Sequence, residues 1–168
     1  MATVKGLVDV FLQPGDWYVG DADHQLRTIL GSCVSITLWH PLSRLGGMSH
    51  FLLPTRGATA TQDPALDGRY GDEALQLMLA QFEKAGVPPS QCKAKIFGGG
   101  NMFPGQMREG AINVGKRNGM AARTMLREHG IPVLSECLFG IGHRQVIFVV
   151  GTGDVWSNQV KPTGLISN

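Results

Sequence analysis

The sequence has little charge and no run of either sign. Charged residues make up 17% of the chain, the formal net charge is +2, and Lys and Arg do not cluster, so a nucleic-acid-binding face is not expected. It also lacks any apolar run approaching the roughly 18 residues of a membrane-crossing helix. The early run GLVDVFL is interrupted by Asp9 and followed by Pro14-Gly15-Asp16, too short and too broken for a secretory signal. Cysteine is scarce, with three residues and no CxxC spacing, which argues against a disulfide framework and against a zinc knuckle. A reducing cytosol is the expected location.

What is present is an ordinary globular composition, 43% hydrophobic. Its length suits one domain over residues 1–168, able to bury about two-thirds of its unfolded surface. Gly6–Leu12 and Trp17–Val19 flank the Pro14-Gly15-Asp16 turn and read as a first hairpin, with Asp21–Gln25 as polar loop. Val34, Ile36 and Leu38 alternate with Ser35, Thr37 and Trp39, a strand pattern. His40-Pro41-Leu42-Ser43 reads as a β-turn and Gly46–Leu53 as the returning strand. Pro54–Gly68 has no period and reads as surface loop.

A helix is expected from about Gly71 to Ala85-Gly86, with Ala74, Leu75, Met78, Leu79 and Phe82 on its buried face. Ala94–Phe97 reads as a strand entering Gly98-Gly99-Gly100, a tight loop beside another backbone. A second helix is expected from Asn113 to His129, stopped by Gly130 and Pro132, with Val114, Ala121 and Met125 inward. Pro132–Phe139, Gln145–Val150 and Asp154–Trp156 complete the strands. The pattern predicts an α+β fold, a layered α/β sandwich of mostly antiparallel sheet with two main helices.

Chemistry concentrates in Thr28–Pro54. Cys33 follows Gly31-Ser32, where the backbone can turn sharply, and it opens a strand instead of lying within one. That position suits a nucleophile with backbone N–H groups nearby for an oxyanion; the competing reading is a small buried hydrophobe. A turn centred between Pro41 and Leu42 sets Cys33 directly across from His50, with Cβ atoms about 5 Å apart. One residue of slip would put the two on opposite faces. The alternative for His50 is a sheet position filled beside Met48 and Phe51. His24, His40, His129 and His143 lie in loop, turn, helix-end and Gly-rich settings, and Cys92 and Cys137 read as structural. Gly110–Arg117 matches the glycine and lysine spacing of a P-loop, but Arg117 replaces the hydroxyl residue and no clear strand precedes it. A helix N-terminus with a basic first turn is the preferred reading there.

Taken in order, LGSCVSITLWHP, GGMSHFLLP, RYGDEAL, KIFGGGNMF, NVGKRNGMAAR, GIPVLSE and GTGDVW resemble the CheD family of chemoreceptor glutamine deamidases over nearly the whole chain. The resemblance implies hydrolysis of glutamine side-chain amides on chemotaxis receptors, with Cys33 as nucleophile, His50 as its base and Thr28 as third member. It implies no metal or organic cofactor. It also implies a fold akin to the catalytic domain of cytotoxic necrotizing factor toxins, and a regulatory partner, the CheC phosphatase, that some relatives bind. The chain departs from the family at His40, often acidic, and at Gly100, often alanine. A papain-like protease is disfavoured by the short Cys-to-His gap. A transglutaminase, which passes the same thioester to an amine, and a non-enzymatic CheC-binding module are the competing readings.

Overall fold

The computed structural model describes residues 6–57, 65–105 and 113–160. Nine strands and two helices of eight residues or more are described in that span: β1 (Val8–Leu12), β2 (Trp17–Gly20), β3 (His24–Leu30), β4 (Val34–His40), β5 (Leu45–Ser49), α1 (Gly71–Lys84), β6 (Lys93–Gly98), α2 (Val114–Glu128), β7 (Val133–Leu138), β8 (His143–Val149) and β9 (Asp154–Val160). They form a four-stranded sheet ordered β1-β3-β8-β9 and a five-stranded sheet ordered β2-β5-β4-β6-β7. Only β1–β3 and β6–β7 pair in parallel. The fold is α+β and layered, as the sequence pattern predicts.

Alternation along β4 explains the layering. Val34, Ile36 and Leu38 join Leu75, Met78, Phe82, Ala122 and Leu126 in one core between the five-stranded sheet and the two helices. The opposite face of that sheet contributes Met48 and Phe97 to a second core with Leu12, Leu26, Leu30, Val146 and Phe148 of the other sheet. A fully buried Leu, Phe or Met adds roughly 1.5–3 kcal/mol, so both seams are strongly favoured.

Helix α1 buries Ala74, Leu75, Met78, Leu79 and Phe82 as the spacing predicts. Its first turn is anchored by Glu73, which accepts two hydrogen bonds from the Arg56 guanidinium. Asn113 caps α2 by accepting from the Lys116 N–H at 2.7 Å, which satisfies one of the open donors of a helix start. The buried face of α2 is Gly115, Asn118, Gly119, Ala122, Met125 and Leu126, while Val114 is exposed. The expected inward position of Val114 is thus wrong by one residue. At position 115 glycine is required, since an added Cβ would lie 2.6 Å from backbone of Gly99 and Gly100.

Three further expectations are corrected. β1 and β2 do not form a hairpin: β1 pairs with β3 and β2 with β5, in different sheets. The turn between them carries the chain from one layer to the next, held by Gly15 N–H to the His50 carbonyl and His50 N–H to the Asp16 carbonyl. His24 and Gln25 are not loop residues but open β3. Cys137 is exposed on β7, unlike buried Cys92, so it does not fill a core position. Part of the expected Pro54–Gly68 loop and the first residues of the P-loop-like segment lie outside the described residues.

Candidate active site

Cys33, His50 and Thr28 meet in the seam between the two sheets. Cys33 packs against the inter-sheet core just before β4 begins. His50 follows β5 on the same face as Met48, and Thr28 lies on β3 in the facing sheet. His50 and Thr28 are both buried, and Cys33 is half-buried.

The register of β4 and β5 differs from expectation. His40 pairs with Leu45 and Thr37 with Met48, because the connection is a four-residue turn over 41–44. In it Ser43 N–H and Oγ both engage His40 Nδ1, and Arg44 takes φ +52°. The same register returns at Val34 and Phe51. By extension Leu52, not His50, stands across from Cys33. The shift is two residues, an even number, so Cys33 and His50 keep a common face as diagonal neighbours. Such neighbours have Cβ atoms roughly 7 Å apart in a regular ladder, and no hydrogen bond joins the Cys33 thiol to His50 among the described residues.

Thr28 and His50 are joined directly. Thr28 Oγ1 lies 2.8 Å from the Leu12 carbonyl oxygen and 2.7 Å from His50 Nδ1. A carbonyl oxygen only accepts, so the hydroxyl proton goes to Leu12 and Nδ1 must carry the hydrogen that Thr28 accepts. That tautomer leaves Nε2 as the open lone pair. Burial pushes the His50 imidazole down to about 4, against smaller opposing pulls from the Asp16 carboxylate and the Leu12 carbonyl. Burial also pushes the Cys33 thiol up. At neutral pH the site therefore holds a neutral thiol and a neutral imidazole, with no preformed ion pair.

The turn ahead of Cys33 is bound from inside. Gly99 N–H donates to the Cys33 carbonyl and Gly100 N–H to the Gly31 carbonyl, each at 2.9 Å. Gly99 and Gly100 form a loop beside another backbone, as expected, while Gly98 is not loop but closes β6. Buried Arg144 holds that loop in turn, donating to the carbonyls of Gly98 and Phe139. The side-chain amide of Asn118 donates to the carbonyls of Ser32 at 3.0 Å and Leu52 at 2.8 Å. Sequence reasoning passed over Asn118. The available signal was its helical spacing from Ala121 and Met125, two of the expected inward positions, where a lone buried amide needs partners.

Among the described residues no three His, Cys, Asp or Glu side chains are grouped to hold a metal ion, and no described helix is long and apolar enough to cross a membrane.

Comparison with known proteins places the chain in a family. The family model "CheD chemotactic sensory transduction" matches residues 52–159, beginning just after His50. The relatives cover the earlier residues as well. "Probable chemoreceptor glutamine deamidase CheD 2" of Albidiferax ferrireducens is 65% identical over 164 residues, 98% of this chain and 94% of that protein. "Probable chemoreceptor glutamine deamidase CheD 1" of Chromobacterium violaceum is 45% identical, covering 93% of this chain and 80% of that protein. "Probable chemoreceptor glutamine deamidase CheD 3" of Dechloromonas aromatica is 43% identical, covering 92% and 89%. A family match over more than half the chain, joined to relatives this similar along nearly their whole length, shows that the chain belongs to the CheD family.

Proposed function

We propose that this protein deamidates glutamine side chains on chemotaxis receptors through a thioester on Cys33. The observation that carries the reading is the Leu12–Thr28–His50 chain of hydrogen bonds, which holds the imidazole in one tautomer with Nε2 free on the face of Cys33. The relatives' names supply the substrate class.

With a raised thiol and a depressed imidazole, proton transfer accompanies attack instead of preceding it. Nε2 of His50 takes the thiol proton as Sγ bonds to the glutamine Cδ, and the carbonyl becomes an oxyanion. The imidazolium then gives its proton to the amide nitrogen, the C–N bond breaks and ammonia leaves a γ-glutamyl thioester. Water, deprotonated by the neutral His50, attacks that thioester; the C–S bond breaks, glutamate is released and the thiol is restored. Thr28 keeps Nδ1 protonated and the ring in place throughout, and the Asp16 carboxylate favours the imidazolium. No cofactor takes part in these steps.

The test is mass spectrometry of a receptor cytoplasmic fragment incubated with wild type and with Cys33→Ala. The expected result is amide-to-acid conversion of particular glutamines by wild type alone; equal conversion by both, or by neither, overturns the reading. An added primary amine separates hydrolysis from transglutamination, since the latter yields an amine adduct in place of glutamate. CheC binding is a separate expectation, read by capture of CheC on Cys33→Ala.

A further inference from the structure

Three consecutive carbonyls of the turn before β4 each accept a hydrogen bond. Gly31 accepts from Gly100 N–H, Ser32 from the Asn118 amide, and Cys33 from Gly99 N–H. Two of these donors belong to backbone, and the one side chain is Asn118. It is fully buried, and both of its amide hydrogens are used, one on Ser32 and one on Leu52. It thereby ties the chain one residue before Cys33 to the chain two residues after His50. Among the described residues, no ladder pair beyond the Val34–Phe51 bridge holds these two segments together. Its Oδ1 is buried without a partner, a feature that packing alone does not select.

The peptide bonds here are trans, so each carbonyl and the following N–H point in opposite directions. Pinning the Gly31 and Ser32 carbonyls toward Gly100 and α2 therefore turns the N–H groups of Ser32 and Cys33 the other way. Among the described residues no acceptor takes either of those N–H groups. Two adjacent unpaired N–H groups beside a nucleophile form a concavity that suits a developing negative oxygen.

We propose that Asn118 is a positioning residue for the deamidation: by holding the Ser32 and Leu52 carbonyls it aims the Ser32 and Cys33 N–H groups at the oxyanion and sets the spacing of Cys33 from His50. The proposal rests on the deamidase reading above. Asn118→Asp keeps the size of the side chain but replaces the double donor with an acceptor facing two carbonyls; Asn118→Ala removes the donor.

The experiment compares deamidation kinetics of wild type, Asn118→Ala and Asn118→Asp on the receptor fragment with the rate of Cys33 alkylation by iodoacetamide. Alkylation needs the thiol but forms no oxyanion. The expected result is a kcat lowered about 100-fold, the size of one lost oxyanion donor, with KM and the alkylation rate within about twofold of wild type. Unchanged kcat in a folded variant overturns the proposal, as does a parallel loss of alkylation, which marks general collapse of the site. Wild-type inactivity on every receptor glutamine overturns the deamidase reading itself, a distinguishable outcome. Should neither variant fold, wild type decides. A peptide aldehyde with the aldehyde carbon in place of the glutamine amide carbon forms a tetrahedral adduct on Cys33. In its amide NMR spectrum the Ser32 and Cys33 N–H signals are expected to move downfield, and signals that stay in place overturn the proposal.

Discussion

Thr28 Oγ1 and His50 Nδ1 stand 2.7 Å apart across the seam between the two sheets. The contact joins β3 of the four-stranded sheet to the end of β5 in the five-stranded one, so the imidazole is oriented by a layer it does not belong to. Thr28→Val keeps the shape and deletes the hydroxyl that bridges the buried Leu12 carbonyl and the His50 Nδ1–H. The expected cost is about 1–3 kcal/mol of stability, read by urea denaturation. A fall in kcat of at least ~10-fold is expected, within the ~10²–10⁴-fold that positioned acid–base groups contribute. Thr28→Ser restores both bonds and is expected to recover most of each loss. A valine variant as active as wild type removes Thr28 from the reaction.

The state of the thiol follows from burial. Because the Cys33 thiol is pushed up and no imidazolium stands beside it at neutral pH, its alkylation by iodoacetamide is expected to be slow near neutrality. The rate should rise with a midpoint above the ~8.5 of an ordinary thiol. Exposed Cys137 reacts as well, so the measurement is made on the Cys33 peptide by mass spectrometry. A rate already at its plateau near neutral pH establishes a thiolate–imidazolium pair and contradicts the neutral resting site.

Much of this arrangement was legible in the sequence, and the parts that were not have physical causes. Helix α1 could be read because Ala74, Leu75, Met78, Leu79 and Phe82 are set by local spacing alone. Strand β4 shows its period openly. Strand β3 was hidden because polar Gln25, which is buried against Asp9, and Arg27 alternate with Leu26, Thr28 and Leu30 of the inter-sheet seam. The β4–β5 register depended on one turn. Ser43 bonding back to His40 and left-handed Arg44 extend that turn to four residues, which a proline-centred β-turn does not anticipate. The shared face of Cys33 and His50 survived only because the resulting shift is even. The adjacency of Thr28 to His50 crosses layers and lies beyond any spacing argument; family resemblance was the sole pointer to it.

Burial of His50 also couples the site to pH. Its pKa falls from the ordinary 6.5 to about 4 in the folded protein, so between those values the unfolded chain binds the proton more readily. The contribution of neutral His50 is fully present above about pH 6.5 and is lost as pH falls toward 4. The difference is worth roughly 3 kcal/mol over the window. The lowered carboxylates Asp9, Asp21, Asp67, Glu73 and Glu136 have the same sign and add to the loss of stability in acid. Urea denaturation of wild type and His50→Asn across the window isolates the histidine: asparagine can still donate to Thr28 Oγ1 but does not titrate. The wild-type curve is expected to fall more steeply with acidity, and parallel curves refute the depressed imidazole.

Gly98 offers the sharpest test of the turn that carries Cys33. It adopts φ +112°, and an added Cβ would lie 2.3 Å from the Cys33 carbonyl oxygen and 3.2 Å from Val34 Cα. Gly130, after α2, also has positive φ, +67°, but an added Cβ there meets nothing within 4 Å. Alanine at the two positions therefore separates backbone strain from collision. Gly130→Ala is expected to lose about 1–2 kcal/mol, the cost of left-handed backbone for an ordinary residue, with deamidation unchanged. Gly98→Ala adds steric overlap, bringing its loss to roughly 3 kcal/mol or more. To relieve the overlap the Cys33 carbonyl must move away from Gly99 N–H, which carries the nucleophile and its N–H with it, so activity is expected to fall even in the fraction that folds. Equal stability losses for the two variants, with activity intact in both, are incompatible with the close approach of Gly98 to Cys33.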